Sequence, residues 1–397
     1  MPRNRHPLGY ITLKIKNIEA IILRAQDVGS FQSELNVGGY TGFQVLVHVE
    51  TDEEGIDGWG ECCTGGEYGE SATAVKALIE RGFVPRVKDE DPRDFRKIWE
   101  KIYEDTVWFG RRGLTAFAQS GLDTALVDIA AKSYGVPACR LFGGEYRKKI
   151  PLYASLLFDM DDFEGTAKKG VRYIRDGYFG VKFGWGMIPS KPYGVDAEKD
   201  EAIVATIRNA FGSKGNIMVD VGRYVHWTAD HAIRMAKRLE KYGIFWFEEA
   251  LPQDDLQGYV RLTESVDTTI AFGECLYTVY DFAEVISRHA ADLIQPDASK
   301  VGGISEMKRI VELARINNIR WVPHNWSTAI NTAASMHLVA SSPDGFLMEF
   351  KQESNPLIFD LSKEKFRIEN GSLILPDRPG LGIEIDRNVV DKYRWNP

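Results

Sequence analysis

From Ile217 onward the chain repeats one pattern, a short apolar run that stops on an ionisable residue. Ile217-Met218-Val219 stops on Asp220, Ile244 to Phe247 on Glu248, and Ile270 to Gly273 on Glu274. Leu293 to Pro296 stops on Asp297, Trp321 to Pro323 on His324, and Phe346 to Met348 on Glu349. These endpoints fall 23 to 28 residues apart, the length of a strand, a helix and two short loops. Repeated βα units predict a parallel sheet, most economically closed into an eight-stranded barrel. In a barrel the residue closing each strand sits at the C-terminal mouth, where active sites lie. The six ionisable groups are therefore expected around one pocket. A strand that merely ends on a polar residue accounts for one or two of them, not for the whole series.

Upstream the period is different. Residues 11–24 and 43–50 alternate apolar and polar positions, as half-buried strands do, and Gly58-Trp59-Gly60-Glu61 resumes the alternation after a turn. Val28 to Gly42 and Cys62 to Gly69, rich in Gly, Ser, Thr and aromatics, read as flexible segments that could serve as lids beside a barrel mouth. Helical patterns follow at 70–83, 92–105 and 116–134, the last stopped by Gly135. Strands followed by helices suggest an α+β domain ending near Leu141-Phe142-Gly143-Gly144. The barrel strands are expected to begin with Pro151 to Leu156 and Gly180 to Phe183, with Thr228 and Ser305 capping two of the intervening helices. The expected division is 1–145, 146–355 and a C-terminal segment 356–397.

A net charge of −8 over 397 residues does not suggest a basic face for nucleic acid or an anionic membrane, while leaving room for a local patch. The four cysteines form no CxxC pair, so neither a zinc site nor a disulfide framework is implied, and reduced thiols in a cytoplasm are the simplest account. The short basic start, Met1 to Gly9, has no apolar stretch behind it and does not read as a signal peptide, and no run is long enough to span a bilayer.

Three carboxylates on neighbouring strand ends repel one another unless a cation lies between them. Asp220, Glu248 and Glu274 supply hard oxygen ligands, which favours one Mg²⁺ over zinc. Glu249 is expected to point away from that shell and to form an ion pair, with a barrel lysine as one candidate. Asp297 and His324 close adjacent strands, and a carboxylate on one imidazole nitrogen raises the basicity of the other, making a general base. Lys182, ending the second strand, is a cation able to steady developing negative charge. Metal, lysine and histidine together suit removal of the weakly acidic proton beside a carboxylate.

On these residues the chain resembles the enolase superfamily, mandelate racemase subgroup. The matching motifs are Val219-Asp220-Val221-Gly222, Trp246-Phe247-Glu248-Glu249, Phe272-Gly273-Glu274, Gln295-Pro296-Asp297, Gly302-Gly303, Val322-Pro323-His324, Glu349 and Pro379-Gly380-Leu381-Gly382. The resemblance implies a modified (β/α)7β TIM-type barrel under an α+β capping domain to which the C-terminal segment returns. It also implies Mg²⁺ on the acidic triad, a His324–Asp297 dyad, and Glu349 binding the substrate carboxylate or enolate. Two-base members carry Lys-x-Lys on the second strand; here the run is Lys182-Phe183-Gly184, which disfavours racemisation. A dehydratase needs one base, so dehydration of a sugar acid to its 2-keto-3-deoxy product is the expected activity. The Lys182 to Gly186 run and Pro323-His324 lean towards the rhamnonate-dehydratase type. A cycloisomerase or epimerase working through the same enolate is the alternative, and a non-catalytic binding protein a remote one. Substrate choice is expected from the two flexible segments with Arg223, Asn325 and Trp326, while Arg111 and Arg112 read as structural ion pairs. The resemblance further implies a homo-oligomer.

Overall fold

The structure is a computed structural model that describes residues 13–25, 43–64, 68–186, 191–222, 225–352 and 355–396. Three antiparallel strands, β1 (Ile15–Arg24), β2 (Phe43–Thr51) and β3 (Asp57–Cys62), form a meander. The alternation read in the sequence has a physical cause. Ile18, Ala20, Ile22, Val45, Val47 and Val49 share a core with Ile79, Ile98, Leu122 and Ala125 from the helices that follow. The helix expected over 70–83 opens instead at Leu78–Phe83 into a wider turn, and the 116–134 pattern gives the buried helix Leu114–Ser133. Gly58 and Gly60 let β3 lie directly on that helix. A Cβ at Gly60 would stand 1.8 Å from the Gly121 carbonyl oxygen, and one at Gly58 2.2 Å from that of Ala125. Both obstacles are backbone, so Gly60→Ala is expected to destabilise the fold by about 3 kcal/mol. Chemical denaturation measures this; a change under about 0.5 kcal/mol, the usual range for neutral surface sites, would refute the close contact.

Eight parallel strands follow. They are β4 (Lys149–Leu157), β5 (Gly180–Gly184), β6 (Asn216–Asp220), β7 (Ile244–Glu248), β8 (Ile270–Phe272), β9 (Leu293–Ile294), β10 (Arg320–Trp321) and β11 (Met348–Lys351). Neighbours pair in sequence order from β4 to β10, and β11 returns to pair with β4. A helix fills each of the seven gaps, giving the (β/α)7β order. One inward layer is apolar, built from Tyr153, Met218, Trp246, Ala271, Leu293, Val322 and Leu347. Because inward positions recur every two residues, the next layer towards the mouth receives Ser155, Asp220, Glu248, His324 and Glu349. The floor is greasy and the rim is charged.

Thr228 caps its helix as expected, accepting from the His231 N–H, and Gly243 ends the following turn at φ 62°. Ser305 does not cap. The cap is Gly303 at φ 102°, and Ser305 sits inside the helix Ile304–Ile316 with its N–H and hydroxyl given to Asp123. A Cβ at 303 would collide with Asp123, which explains the glycine there.

The C-terminal segment contributes the hairpin β12 (Ile368–Glu369) and β13 (Ser372–Ile374), which joins β4. It then reaches the first domain, where the Leu381 N–H meets Asp128 of the helix Leu114–Ser133 and the Trp395 N–H meets the Ile22 carbonyl of β1. After Pro379-Gly380 the chain forms isolated bridges and the helix Arg387–Tyr393. Asp57 ties this helix to the meander, accepting from His48 at 2.7 Å and from Arg387 at 3.3 Å. The His48 bond, helped by Lys132 and Arg387 and opposed by partial burial, holds the Asp57 carboxyl down to about 2 from an ordinary 3.8. A depressed carboxyl stabilises the fold above its unfolded value and loses that effect as pH falls through its folded one. Asp57→Asn should therefore lower the urea midpoint at neutral pH, with the gap to wild type closing between about pH 4 and pH 2. A gap independent of pH would show that the charge contributes nothing.

Candidate active site

Asp220 and Glu248 are the last residues of β6 and β7. Glu274, Asp297 and His324 lie two or three residues beyond the ladders of their strands, and Glu349 lies inside β11. The offsets have local causes. Gly273 turns the chain at φ 130°, while Pro296 and Pro323 cannot donate to a ladder. The strands nevertheless continue to run side by side, with the Val322 N–H on the Ile294 carbonyl and the His324 N–H on that of Pro296.

Asp220, Glu248 and Glu274 are buried and offer carboxylate oxygens that all lie within 4.8 Å of one another. Burial, and after it the charge of Glu248, pushes the Asp220 carboxyl well above its usual range. Burial raises Glu248 too, against the pull of Lys182. Asp220 Oδ1 accepts no hydrogen bond among the described residues. An oxygen-only donor set, mutual repulsion and an orphaned carboxylate oxygen together fit a hard divalent cation. Glu249 stands outside the triad, at φ 46°. It does not pair with a lysine as expected: it accepts from the Gly273 N–H at 3.0 Å and from Gln253 at 3.1 Å. Burial and the charge of Glu274 push it up to about 8.

Lys182 lies at one end of this row. Its Nζ is 2.5 Å from Glu248 Oε1, 2.9 Å from Glu349 Oε1 and 3.5 Å from Asp220 Oδ2. Burial alone would lower its pKa, but Glu248 and Glu349 outweigh burial and hold it well above the usual lysine value. Two residues on along the same face is Gly184, whose Cβ would lie 3.1 Å from Asp220 Oδ2. The chain thus places no second base there.

His324 lies at the other end. Its Nδ1 is 2.6 Å from Asp297 Oδ2, and its Nε2 faces Glu274 Oε2 at 3.2 Å. Burial would lower the imidazole pKa, yet Glu274 and the Asp297 bond raise it. Burial would likewise raise Asp297, and its bond to His324 keeps it low. Asp297 Oδ1 is saturated by the Ser299 N–H and hydroxyl and by Asn331 Nδ2. Asp297 can therefore turn neither away from the imidazole nor towards the triad.

Glu349 spans two roles in the packing. Its Oε2 accepts from the Asn325 N–H at 2.7 Å while its Oε1 faces Lys182. Asn325 turns its side chain back onto Thr332 and the Glu349 carbonyl, so its amide is engaged in holding the loop after β10. Trp326 donates from Nε1 to Ser155 Oγ, and its ring stands 5.8 Å from that of Trp185 and 4.3 Å from Lys351 Nζ. Arg223 lies outside the described residues, as do Val28 to Gly42 and residues 65–67 of the Cys62 to Tyr68 stretch. Where that stretch is described it is no loose lid. Cys62 and Cys63 are buried, the Cys63 N–H bonds the Ser299 carbonyl, and the Thr64 hydroxyl bonds that of Phe43. Arg112 pairs with Asp281 as expected, while Arg111 instead donates to the Tyr103 hydroxyl.

Sequence reasoning missed Lys351, Ser155 and Glu61. Lys351 and Ser155 had a signal available: they share the inward parity of Glu349 and Lys182 and pair across β11 and β4. Glu61 had none, since its partners Thr328 and Asn331 are some 270 positions away.

The chain is similar to known proteins over most of its length. Residues 166–389 match the family model described as enolase C-terminal domain-like. Residues 38–143 match the N-terminal domain of the mandelate racemase and muconate lactonizing enzymes. The chain belongs to the enolase superfamily, mandelate racemase subgroup. Within this superfamily, it is 33% identical to the D-galactarolactone cycloisomerase of Agrobacterium fabrum over 88% of this chain and 91% of that one. It is 33% identical to the arabinonate dehydratase of Saccharolobus solfataricus over 88% and 90% of the two chains. The crystal structure of the 3,6-anhydro-D-galactonate cycloisomerase from Zobellia galactanivorans superposes with a TM-score of 0.84 at 30% identity, covering 96% of this chain and all of that one. The superfamily membership accounts for the α/β barrel and its capping domain together.

Proposed function

We propose that this enzyme is a Mg²⁺-dependent acid-sugar dehydratase that converts a sugar acid to its 2-keto-3-deoxy acid. The observation carrying this reading is the base, His324 on Asp297, across the buried acidic row from the cation Lys182, with Gly184 where a second base would stand. Asp220, Glu248 and Glu274 would hold one Mg²⁺, which would supply positive charge to neutralise that arising on the substrate carboxylate. His324 Nε2 takes the α-proton, while Asp297 keeps Nδ1 protonated and the ring in place. Lys182 and Glu349 position the carboxylate end, and Lys182 stabilises the negative charge that develops as the proton leaves. The proton on His324 then goes to the β-hydroxyl, which departs as water. Arg223, Asn325 and Trp326 are proposed to face the rest of the substrate, Trp326 with its ring and Asn325 by fixing the loop.

Dehydratases among the relatives are named for arabinonate, D-xylonate, D-gluconate and D-galactonate, which supports this reading. Others are cycloisomerases, which also need only one base. The test is a panel of sugar acids, including arabinonate, xylonate, galactarate and rhamnonate, assayed with Mg²⁺ for 2-keto product as its semicarbazone. Lactone or anhydro acids turning over while open-chain acids do not would replace the dehydratase reading with the cycloisomerase one. Lys182→Met is expected to lower kcat about 100-fold or more, as loss of one oxyanion donor does. Unchanged turnover in that variant would remove Lys182 from the mechanism.

Residues 1–145, 146–355 and 356–397 serve as cap, barrel and return segment in this reading. No helix among the described residues is long and apolar enough to cross a membrane. A cytoplasmic homo-oligomer is the proposed state; exposed Val107, Trp108 and Phe109 support self-association, which light scattering measures directly.

A further inference from the structure

The end of β3 touches both groups that hold Asp297. Cys63 gives its N–H to the carbonyl of Ser299, at 3.0 Å, and Ser299 bonds Asp297 Oδ1 twice. Two residues earlier, Glu61 is buried on the face of β3 opposite Gly58 and Gly60. Its carboxylate meets only donors. Oε1 accepts from the Thr328 N–H at 2.9 Å, and Oε2 from the Thr328 hydroxyl at 2.6 Å and the Asn331 N–H at 3.0 Å. Those donors form the first turn of the barrel helix Ala329–Ala340. From the same turn Asn331 sends its side-chain amide to Asp297 Oδ1 at 3.1 Å, and Asp297 Oδ2 bonds His324. We infer that Glu61, a residue of the capping domain, is a positioning residue for the catalytic base, acting through Asn331 and Asp297 on the orientation of His324.

The chemistry requires a carboxylate here. An amide in its place offers one accepting oxygen and turns an N–H towards either the Thr328 N–H or the Asn331 N–H, where two donors then face each other. The first helical turn must shift to relieve that, and Asn331 leaves Asp297 with it. A displacement of about 1 Å at such a point costs on the order of 100-fold in rate without loosening the ground-state complex. The glycines of Gly58-Trp59-Gly60-Glu61 belong to the same device, because they set how deep β3 lies and so where Glu61 ends.

The inference rests on His324 acting as the base, so its test needs one arm that does not depend on the substrate. In that arm, protein labelled with ¹⁵N-histidine is examined by NMR for the hydrogen-bonded Nδ1 proton shared with Asp297, assigned by its disappearance in His324→Asn. Glu61→Gln is expected to shift or broaden that resonance, whatever acid the enzyme turns over. In the kinetic arm Glu61→Gln lowers kcat about 10- to 100-fold with KM within about twofold. In an Asn331→Ala background, where the route to Asp297 is already cut, the same change lowers kcat less than twofold further. Thr328→Val reproduces the resonance shift and part of the kcat loss, and Thr328→Ser restores both; this pair decides the matter if Glu61→Gln does not fold. An unmoved resonance in these variants, or Glu61→Gln costing the same factor with and without Asn331, would overturn the relay and leave Glu61 as a domain contact only. A shifted resonance in a protein inert towards every sugar acid would keep the relay and sink the dehydratase reading.

Discussion

His324→Asn is expected to lower kcat about 10⁴-fold, the upper end of what a positioned base contributes. The structure gives three reasons to place it there. His324 is the one imidazole held by a carboxylate, Asp297, while also facing the acidic triad among the described residues. The position across the pocket from which a second base could act is Gly184. Burial of the dyad excludes water that might substitute for the missing group. Asparagine is close in shape and retains a donor towards Asp297, so the loss should fall on chemistry and not on folding. Metal-induced stabilisation should survive, and exchange of the substrate α-proton with D₂O should cease along with product formation. Retention of more than about a tenth of the wild-type rate would mean that the base lies elsewhere.

How much of this was legible beforehand differs between the barrel and the cap. In the barrel the period is local. Apolar runs of three or four residues, each closed by an ionisable group, reveal inward and outward faces without knowledge of what packs outside. That is why Asp220, Glu248, Glu274, Asp297, His324 and Glu349 could be named together. The same logic missed what depends on contact across the chain. Glu249 looked ready for an ion pair, but a positive φ and the Gly273 N–H take it elsewhere. Ser305 has the residue type of a cap, yet Asp123 from the capping helix claims its hydroxyl. Cys62 to Thr64 have loop composition and are buried all the same, Cys62 and Thr64 in the cap and Cys63 on Ser299 of the barrel. Composition reports what a segment could do in water; its surroundings come from residues hundreds of positions away.

Asp220→Asn is the variant in which stability and activity should move in opposite directions. In the metal-free protein Asp220, Glu248 and Glu349 share the positive charge of Lys182, while Glu274 faces His324. Burial and the neighbouring Glu248 make the ionised form of Asp220 unfavourable, since its carboxyl is pushed well above the unfolded value. A carboxyl raised in this way destabilises the fold at neutral pH, where it must still ionise or hold a proton at a cost. Removing its charge should therefore raise the metal-free Tm. Wild type regains that stability, and more, when a cation binds the folded state alone: about 2.7 kcal/mol at a hundredfold excess over Kd. The expected result is a Tm that climbs with Mg²⁺ in wild type, starts higher but stays flat in Asp220→Asn, and a variant without measurable turnover. Glu249→Gln, which leaves the triad intact, should keep the Mg²⁺ response. Equal Mg²⁺ stabilisation of wild type and Asp220→Asn would show that the ion binds outside the triad, and the acidic row would then need Lys182 alone to hold it together.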